Sequence, residues 1–183
     1  MLLFGKRYAD TVARLRVPTG FLLVAFFAWF SRPTPQWMAI GIPVSLAGLA
    51  LRAWAAGCLS KDSQLSTAGP YAYTRNPLYL GTMVVAAGLA IASRSPGLGA
   101  LMAAVFLFVY LPVIALEEQH LRRLFPEYRA YTQAVPMLWP RLLKRRPPAG
   151  FHWSQYVRNR EYQAAAGFAI GVLFLIWKTR ISR

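Results

Sequence analysis

The sequence predicts an all-α protein of the membrane: a polytopic integral membrane helix bundle with about five transmembrane segments, a helical hairpin and a cytoplasmic amphipathic segment. Of its 183 residues, 56% are hydrophobic, and the mean hydropathy is +0.35, which is too apolar for an ordinary soluble domain. The formal net charge is +15, and the basic residues flank apolar blocks. That arrangement is typical of membrane proteins whose loops face anionic lipid. We expect a single domain over residues 1–183.

The apolar residues form five runs, at residues 17–31, 37–59, 78–92, 98–116 and 164–177. A proline-marked turn at 32–36 separates the first two runs, and a second turn at 93–97 makes a hairpin of the third and fourth. The third and fifth runs are shorter than the roughly 20 residues that cross a hydrocarbon core. The fifth is therefore either a short span or a helix packed on the others.

Small residues within these runs predict where helices approach one another. Gly41 and Gly48 are seven residues apart in the second run, so they share one helix face and favour close packing. Gly167 and Gly171 form a G-x-x-x-G step that favours contact within the fold or between copies. Cys58 is the one cysteine, which excludes an intrachain disulfide, and we interpret it as a small packing residue.

An amphipathic pattern follows the fourth run. Apolar residues recur at steps of three and four: Leu121, Leu124, Phe125, Tyr128, Tyr131 and Val135. Pro126 interrupts the pattern and predicts two helical pieces at the membrane interface. The basic cluster Arg141, Lys144, Arg145 and Arg146 is interpreted as a lipid-headgroup and topology signal. Basic residues concentrate in 1–16 and 117–160, which places both segments on the cytoplasmic side.

The segment 69–81, GPYAYTRNPLYLG, is the most informative stretch of the chain. Pro77 disfavours helical geometry at Asn76 and favours a helix start immediately after it. The N–H groups of that start, together with Arg75, could face an anionic group, and the tyrosines could bind a polar ligand. An interfacial tyrosine belt with a turn would use the same residue types. The segment alone leaves these two interpretations open.

Adjacent acids end the fourth run. Glu117 and Glu118 repel each other and are costly to desolvate at a bilayer edge, which favours a functional role. The alternative is a solvated first turn of the next helix. Arg52 either neutralises one of these acids or extends its charge towards the interface.

These two regions together resemble the isoprenylcysteine carboxyl methyltransferase and phospholipid methyltransferase family. The first motif is carried by Gly69, Tyr71, Arg75, Asn76, Pro77, Tyr79 and Gly81, and the second by Glu117, Glu118, Leu121, Phe125, Tyr128, Tyr131, Val135, Pro136 and Pro140. The resemblance covers about residues 40–141, and 69–141 carries both motifs. The eukaryotic carboxyl methyltransferases have His where this chain and related bacterial sequences have Asn, here Asn76, and that departure weakens the prediction of substrate but not of fold.

The resemblance implies an integral membrane methyltransferase that uses S-adenosyl-L-methionine. By position, the implied catalytic residues are Arg75, which would orient a substrate anion, and Glu118. The implied cofactor-binding residues are Tyr71, Asn76, Pro77, Tyr79, Glu117 and Glu118. The implied partners are membrane lipid and a lipid or lipidated substrate, either a prenylcysteine-type carboxylate or a phospholipid amine. We expect the cytoplasmic membrane of a bacterium, with the active site facing the cytoplasm.

Two other functions compete with this one. An NADPH-dependent membrane reductase of the sterol reductase type carries a similar Arg-His-Pro-Asn-Tyr motif, but Glu117 and Glu118 fit the methyltransferase pattern better. A non-catalytic lipid-binding protein is the third hypothesis. The charge has no nucleic-acid motif beside it, so nucleic acid is not an expected partner. His120 and His152 lack a set of partner ligands, so no metal site is expected.

Overall fold

A computed structural model of the chain describes residues 6–60, 63–141 and 150–181. Within these residues the structure is helical, which confirms the predicted class. The helices are α1 (Lys6–Phe30), α2 (Pro35–Cys58), α3 (Pro77–Ala92), α4 (Pro96–Val105), α5 (Leu111–Leu124), α6 (Tyr128–Ala134), α7 (Trp153–Arg158) and α8 (Tyr162–Ile181). A 3-10 turn, Gly69–Ala72, precedes α3, and a π-helical turn, Phe106–Tyr110, joins α4 to α5.

Five apolar helical segments correspond to the five predicted runs. Three are long enough to cross a membrane, namely Pro35–Cys58, the continuous stretch Pro96–Leu124 and Tyr162–Ile181, and two are shorter, Pro18–Phe30 and Pro77–Ala92. The predicted limits of the fifth run were too narrow, because α8 has 20 residues. Its last turn holds Lys178 and Arg180, cations that the helix dipole favours at a C-terminus. The first helix likewise begins before the apolar run, at Lys6.

The chain between α5 and α6 breaks where the sequence predicts. Helix α5 ends at Leu124 and α6 begins at Tyr128, with Pro126 in the intervening turn. The backbone N–H of Tyr128 donates to the carbonyl of Phe125 across this turn, at 3.1 Å. The two predicted helical pieces are therefore confirmed.

Helices α2 and α3 pack closely along a seam of glycines. A Cβ atom added at Gly41 would lie 2.3 Å from the carbonyl oxygen of Gly88, and one added at Gly48 would lie 2.7 Å from that of Gly81. The later residue of α2 meets the earlier residue of α3, so the helices are antiparallel. The prediction for Gly41 and Gly48 is confirmed, since only glycine permits this approach of the two backbones.

Helix α8 makes a different contact from the one its glycines suggest. A Cβ at Gly167 or Gly171 would have no atom within 4 Å, so within the described residues these glycines mediate no helix contact. Instead Leu175, which is fully buried, joins a core cluster with Phe27 and Met38. A contact of the two glycines with a second copy stays a prediction.

Two ends of the bundle can be distinguished. At one end the Lys178 ammonium donates to the carbonyls of Ala28 and Trp29, at 2.6 and 3.2 Å. At the other, which we call the cavity end, Arg52 near the end of α2 contacts both the start of α3 and Glu161 just before α8. Exposed tryptophans lie towards both ends of the helices, as in interfacial belts: Trp29, Trp37 and Trp177, and Trp54, Trp139 and Trp153.

Candidate active site

Arg75 and Glu118, far apart in sequence, form a bidentate ion pair at the cavity end. The Nε atom of Arg75 donates to Oε1 of Glu118 at 2.8 Å, and Nη2 donates to Oε2 at 3.1 Å. The remaining terminal nitrogen, Nη1, donates to the carbonyls of Thr132 and Val135, at 3.0 and 3.1 Å. Since these carbonyls lie at the end of α6, the arginine also caps that helix. One guanidinium thus ties the 69–81 segment to both α5 and α6.

Asn76 and Tyr128 complete the environment of the Glu118 carboxylate. The amide Nδ2 of Asn76 donates to Oε1 of Glu118 at 3.2 Å and to the carbonyl of Met137 at 3.1 Å. Tyr128 lies beside this carboxylate, and burial followed by the negative charge of Glu118 raises the pKa of its hydroxyl. Glu118 is buried, and three N–H donors, two from Arg75 and one from Asn76, satisfy its carboxylate.

Tyr79 and Glu117 form a second contact between the two motifs. The tyrosine hydroxyl donates to Oε1 of Glu117 at 2.7 Å, and the ring of Tyr79 packs edge-on against Tyr110 at a centroid distance of 5.9 Å. Glu117 is exposed whereas Glu118 is buried. The adjacent acids therefore differ in exposure, because Glu117 faces the cavity and Glu118 faces the protein interior.

Three tyrosines near the site are held in the protonated form. Burial is the main cause that raises the pKa of Tyr71, Tyr128 and Tyr131. The hydroxyl of Tyr131 also donates to the backbone carbonyl of Tyr71, at 2.6 Å. At neutral pH these hydroxyl groups can donate hydrogen bonds but are poor proton acceptors.

Arg52 pairs with neither acid of the second motif, so the prediction that it neutralises Glu117 or Glu118 is wrong. Its Nε donates to Oε1 of Glu161 at 2.6 Å, and Nη2 donates to Oε2 at 2.9 Å. Nη1 contacts the hydroxyl of Thr82 and the carbonyl of Leu78. Glu161 is not among the site residues predicted from the sequence. Its one signal was its rarity, since the chain has only 6 Asp and Glu residues, and it lies 109 positions from its partner.

The segment that carries Glu161 is fastened to the end of α2. The side-chain amide of Asn159 donates to the carbonyls of Ala56 and Leu59, at 2.9 and 3.1 Å. The backbone N–H of His152 donates to the carbonyl of Gly57 at 2.8 Å. These bonds are made to carbonyls at and just beyond the end of α2, and they fix residues 150–161 beside the cavity.

These elements enclose a cavity of about 760 Å³, within the range of roughly 300–1,000 Å³ typical of small-molecule sites. Its polar lining comprises Arg52, Ser60, Gln64, Ser66, Tyr71, Arg75, Tyr79, Thr82, Tyr110, Glu117, His120, Tyr128, Tyr131, Asn159 and Glu161. Of the predicted site residues, Tyr71, Arg75, Tyr79 and Glu117 thus line the cavity. The other three, Asn76, Pro77 and Glu118, lie behind the lining, in or next to the network around Glu118.

Metal-binding side chains are not clustered in the part of the chain that the structure describes, where no three His, Cys, Asp or Glu residues could hold an ion together. Three members of the predicted basic cluster, Lys144, Arg145 and Arg146, lie outside the described residues. Arg141 is exposed, and its backbone N–H donates to the carbonyl of Tyr73 at 3.0 Å. The interpretation of the cluster as a lipid-headgroup signal stays a prediction.

Fold and site define the class: an integral membrane helix bundle with a charged cavity at one end. Residues 38–128 match the phospholipid methyltransferase family, and the chain belongs to that family. The match contains the 69–81 segment and both acids of the second motif, so the predicted resemblance is confirmed. It favours a methyltransferase over the reductase.

Two curated relatives extend the similarity beyond the family match. The chain is 31% identical over 153 residues to the nickel-cobalt-cadmium resistance protein NccN of Alcaligenes xylosoxydans xylosoxydans, covering 79% of this chain and 72% of the relative. It is equally similar to the cobalt-zinc-cadmium resistance protein CzcN of Cupriavidus metallidurans, with 71% of that protein covered. No solved structure gives a significant match.

Proposed function

We propose that this protein is an S-adenosyl-L-methionine-dependent methyltransferase that acts on a lipid or lipid-like substrate in the membrane. The family supports methyl transfer as the reaction type. The apolar helices around the site support an acceptor that reaches the cavity from the bilayer. The basic residues near the cavity end support an active site facing the cytoplasm.

One observation carries the proposal: the two motifs form one wall of the cavity. Arg75 and Asn76 of the first motif both donate to Glu118 of the second. Beside this network Tyr79 donates to Glu117 at the cavity surface. Residues that are rigidly held by such bonds can keep a ligand in one orientation, which is the main requirement for a reaction that proceeds by alignment.

The donors and acceptors in the cavity fit S-adenosyl-L-methionine. Glu117 and Glu161 offer carboxylates for its cationic groups, and Ser60, Ser66 and Gln64 offer partners for ribose hydroxyls. The tyrosine rings offer faces for a purine. When bound, this cofactor supplies a methyl group already activated on a sulfonium.

The predicted site residues then divide into two roles. Tyr71, Tyr79 and Glu117 face the cavity and would hold the cofactor. Arg75, Asn76 and Glu118 would keep those side chains in place, since their own side chains bond to one another and to backbone carbonyls. Pro77, buried at the first position of α3, would fix the start of that helix.

The acceptor is a prenylcysteine-type carboxylate or a phospholipid amine. A carboxylate reacts without losing a proton, whereas an ammonium group must first give one up. Because the buried tyrosines hold their protons and Glu161 is paired with Arg52, the proton acceptors that we propose among the described cavity residues are Glu117 and His120. Either of them would take the proton of an amine acceptor.

Calorimetric titration of the detergent-purified protein with S-adenosylhomocysteine tests the proposal, with NADPH as the comparison ligand. We expect saturable binding of S-adenosylhomocysteine that Glu117→Gln weakens roughly tenfold, the value of one hydrogen bond to a charged group. Glu127→Gln is the matched control, because Glu127 is exposed and lies outside the cavity lining. Binding of NADPH alone would indicate that the protein is a reductase and not a methyltransferase. Binding of neither ligand would favour a lipid-binding protein.

The names of the relatives support a physiological setting for this activity. Both are metal-resistance proteins, and we propose that methylation by this chain contributes to tolerance of nickel, cobalt, zinc or cadmium. A strain that lacks the gene should grow less well with these salts and recover with the wild-type chain but not with Glu117→Gln. Equal recovery of growth with that variant would show that metal tolerance does not depend on Glu117.

A further inference from the structure

The Arg52–Glu161 pair lies on the cavity wall but belongs to neither family motif. Arg52 is in α2, inside the family match, and Glu161 lies beyond it, immediately before α8. The side chains are 22% and 8% exposed. Because a buried ion pair loses about as much in desolvation as it gains by attraction, stability alone is a weak reason for such a pair.

Both partners are held from behind by other groups. The hydroxyl of Thr82 and the carbonyl of Leu78 position one terminal nitrogen of Arg52. Asn159, two residues before Glu161, is bonded to the end of α2. The pair is therefore preorganised, and its geometry does not depend on a ligand.

Unused hydrogen-bonding capacity distinguishes this pair from the one at Glu118. Four of the five guanidinium N–H groups of Arg52 have partners within the described part of the chain. The Glu161 carboxylate accepts two bonds from Arg52, whereas a carboxylate has about four acceptor sites. Among the described residues, one donor of Arg52 and about two acceptor sites of Glu161 thus have no protein partner, and both residues line the cavity.

A ligand that fits this arrangement carries both charges. A lone cation would face the repulsion of Arg52, and a lone anion that of Glu161, because the pair is neutral as a whole. A zwitterion can oppose each charge with its complement. Two zwitterions are relevant: the amino-acid end of the cofactor, with ammonium and carboxylate, and a phospholipid head, with ammonium and phosphate.

We propose that the Arg52–Glu161 pair is a subsite for a zwitterionic group. This inference depends on the proposed function only where the zwitterionic group is the amino-acid end of the cofactor. The C-terminal segment 150–161 would then supply a ligand-binding residue, Glu161, from outside the family-matched region.

Ligand pairs that differ in the zwitterion test this subsite by calorimetry. S-adenosylhomocysteine carries the amino-acid end, and 5′-methylthioadenosine lacks it. Dihexanoyl phosphatidylethanolamine has a zwitterionic head, and dihexanoyl phosphatidylglycerol lacks the ammonium. We expect Glu161→Gln to weaken the zwitterionic member of one pair roughly tenfold or more, the value of a charge-assisted hydrogen bond, and to leave the other member unchanged. The affected pair identifies the source of the zwitterion.

Two further variants exclude a purely structural role. Arg52→Gln combined with Glu161→Gln avoids a stranded charge and should show the same selective loss. Arg52→Glu combined with Glu161→Arg keeps an ion pair but inverts it, so binding should not recover although a structural pair would be restored. Equal losses for both members of each pair, no loss for any probe, or recovery on inversion would overturn the subsite.

Failure of this inference can be told from failure of the proposed function. If the wild-type protein binds neither adenosine ligand, the methyltransferase proposal fails, while the phospholipid pair still tests the subsite. If the wild-type protein binds S-adenosylhomocysteine and the variants bind every probe equally well, only the subsite fails.

Discussion

The two arginine–glutamate pairs at the cavity end are chemically alike and differ in their surroundings. In both, Nε and Nη2 of the arginine donate to the two carboxylate oxygens, at 2.8 and 3.1 Å for Arg75–Glu118 and at 2.6 and 2.9 Å for Arg52–Glu161. Glu118 also accepts from Asn76 and lies beside Tyr128. Within the described residues, the hydrogen bonds to the Glu161 carboxylate come from Arg52 alone.

Because the surrounding groups differ, we expect the two ion pairs to have different roles. The Arg75–Glu118 pair joins three chain segments and is enclosed by donors and carbonyls, which makes it a structural joint between the motifs. The Arg52–Glu161 pair joins α2 to the C-terminal segment and keeps one side towards the cavity.

The largest expected effect is that of Glu118→Ala. It leaves the Arg75 guanidinium buried without its counter-ion, so we expect a loss of about 3–5 kcal/mol in the free energy of unfolding. Glu161→Ala should cost less, because Arg52 is more exposed than Arg75, at 22% against 11%, and water from the cavity can solvate it. Thermal unfolding in detergent measures both. Equal losses would show that the two pairs do not differ in this way.

Asn76→Ala should have the next largest effect. It removes one donor from Glu118 and one from the carbonyl of Met137, with an expected cost of about 1.5–3 kcal/mol for the bond to the charged group. Gln133→Ala, at an exposed position of α6, is the control for a side chain outside the network. An unfolding midpoint like that of the control would show that Asn76 does not stabilise the joint.

Alkaline pH should weaken the joint through its tyrosines. Burial raises the pKa of Tyr128 in the folded protein, so the folded state keeps a proton that the unfolded state loses near pH 10. This contribution to stability is complete below about pH 10 and is lost as the pH rises further. Tyr128→Phe should therefore make the fall in unfolding midpoint above pH 10 shallower. If the unfolding midpoint of the variant falls as steeply as that of the wild-type protein, groups other than Tyr128 cause the loss of stability.

Thr82→Val should have the smallest effect. The substitution preserves the side-chain shape and removes a hydroxyl that accepts a hydrogen bond from Arg52. We expect less than about 1.5 kcal/mol in unfolding free energy, because Glu161 still holds the guanidinium from the other side. A loss as large as that of Asn76→Ala would mean that the Arg52 pair is also a joint.

Much of the fold could be predicted from the sequence because its signals are local. Apolar runs, turn prolines and the break at Pro126 each depend on residues close together in the chain. Gly41 and Gly48 also predicted a close helix face. The ends of α8 and α1 could not be placed from hydropathy, because polar residues continue both helices past the apolar runs.

The sequence by itself determined that this chain forms a membrane helix bundle and that the motifs around Arg75 and Glu117–Glu118 belong to a methyltransferase family. Only the tertiary structure decided which acid each arginine meets. Glu118 turns inwards to Arg75, Glu117 turns to the cavity, and Arg52 finds Glu161. Ion pairing depends on distances of a few ångströms between side chains, and separation along the chain carries no information about such distances once helices fold against one another.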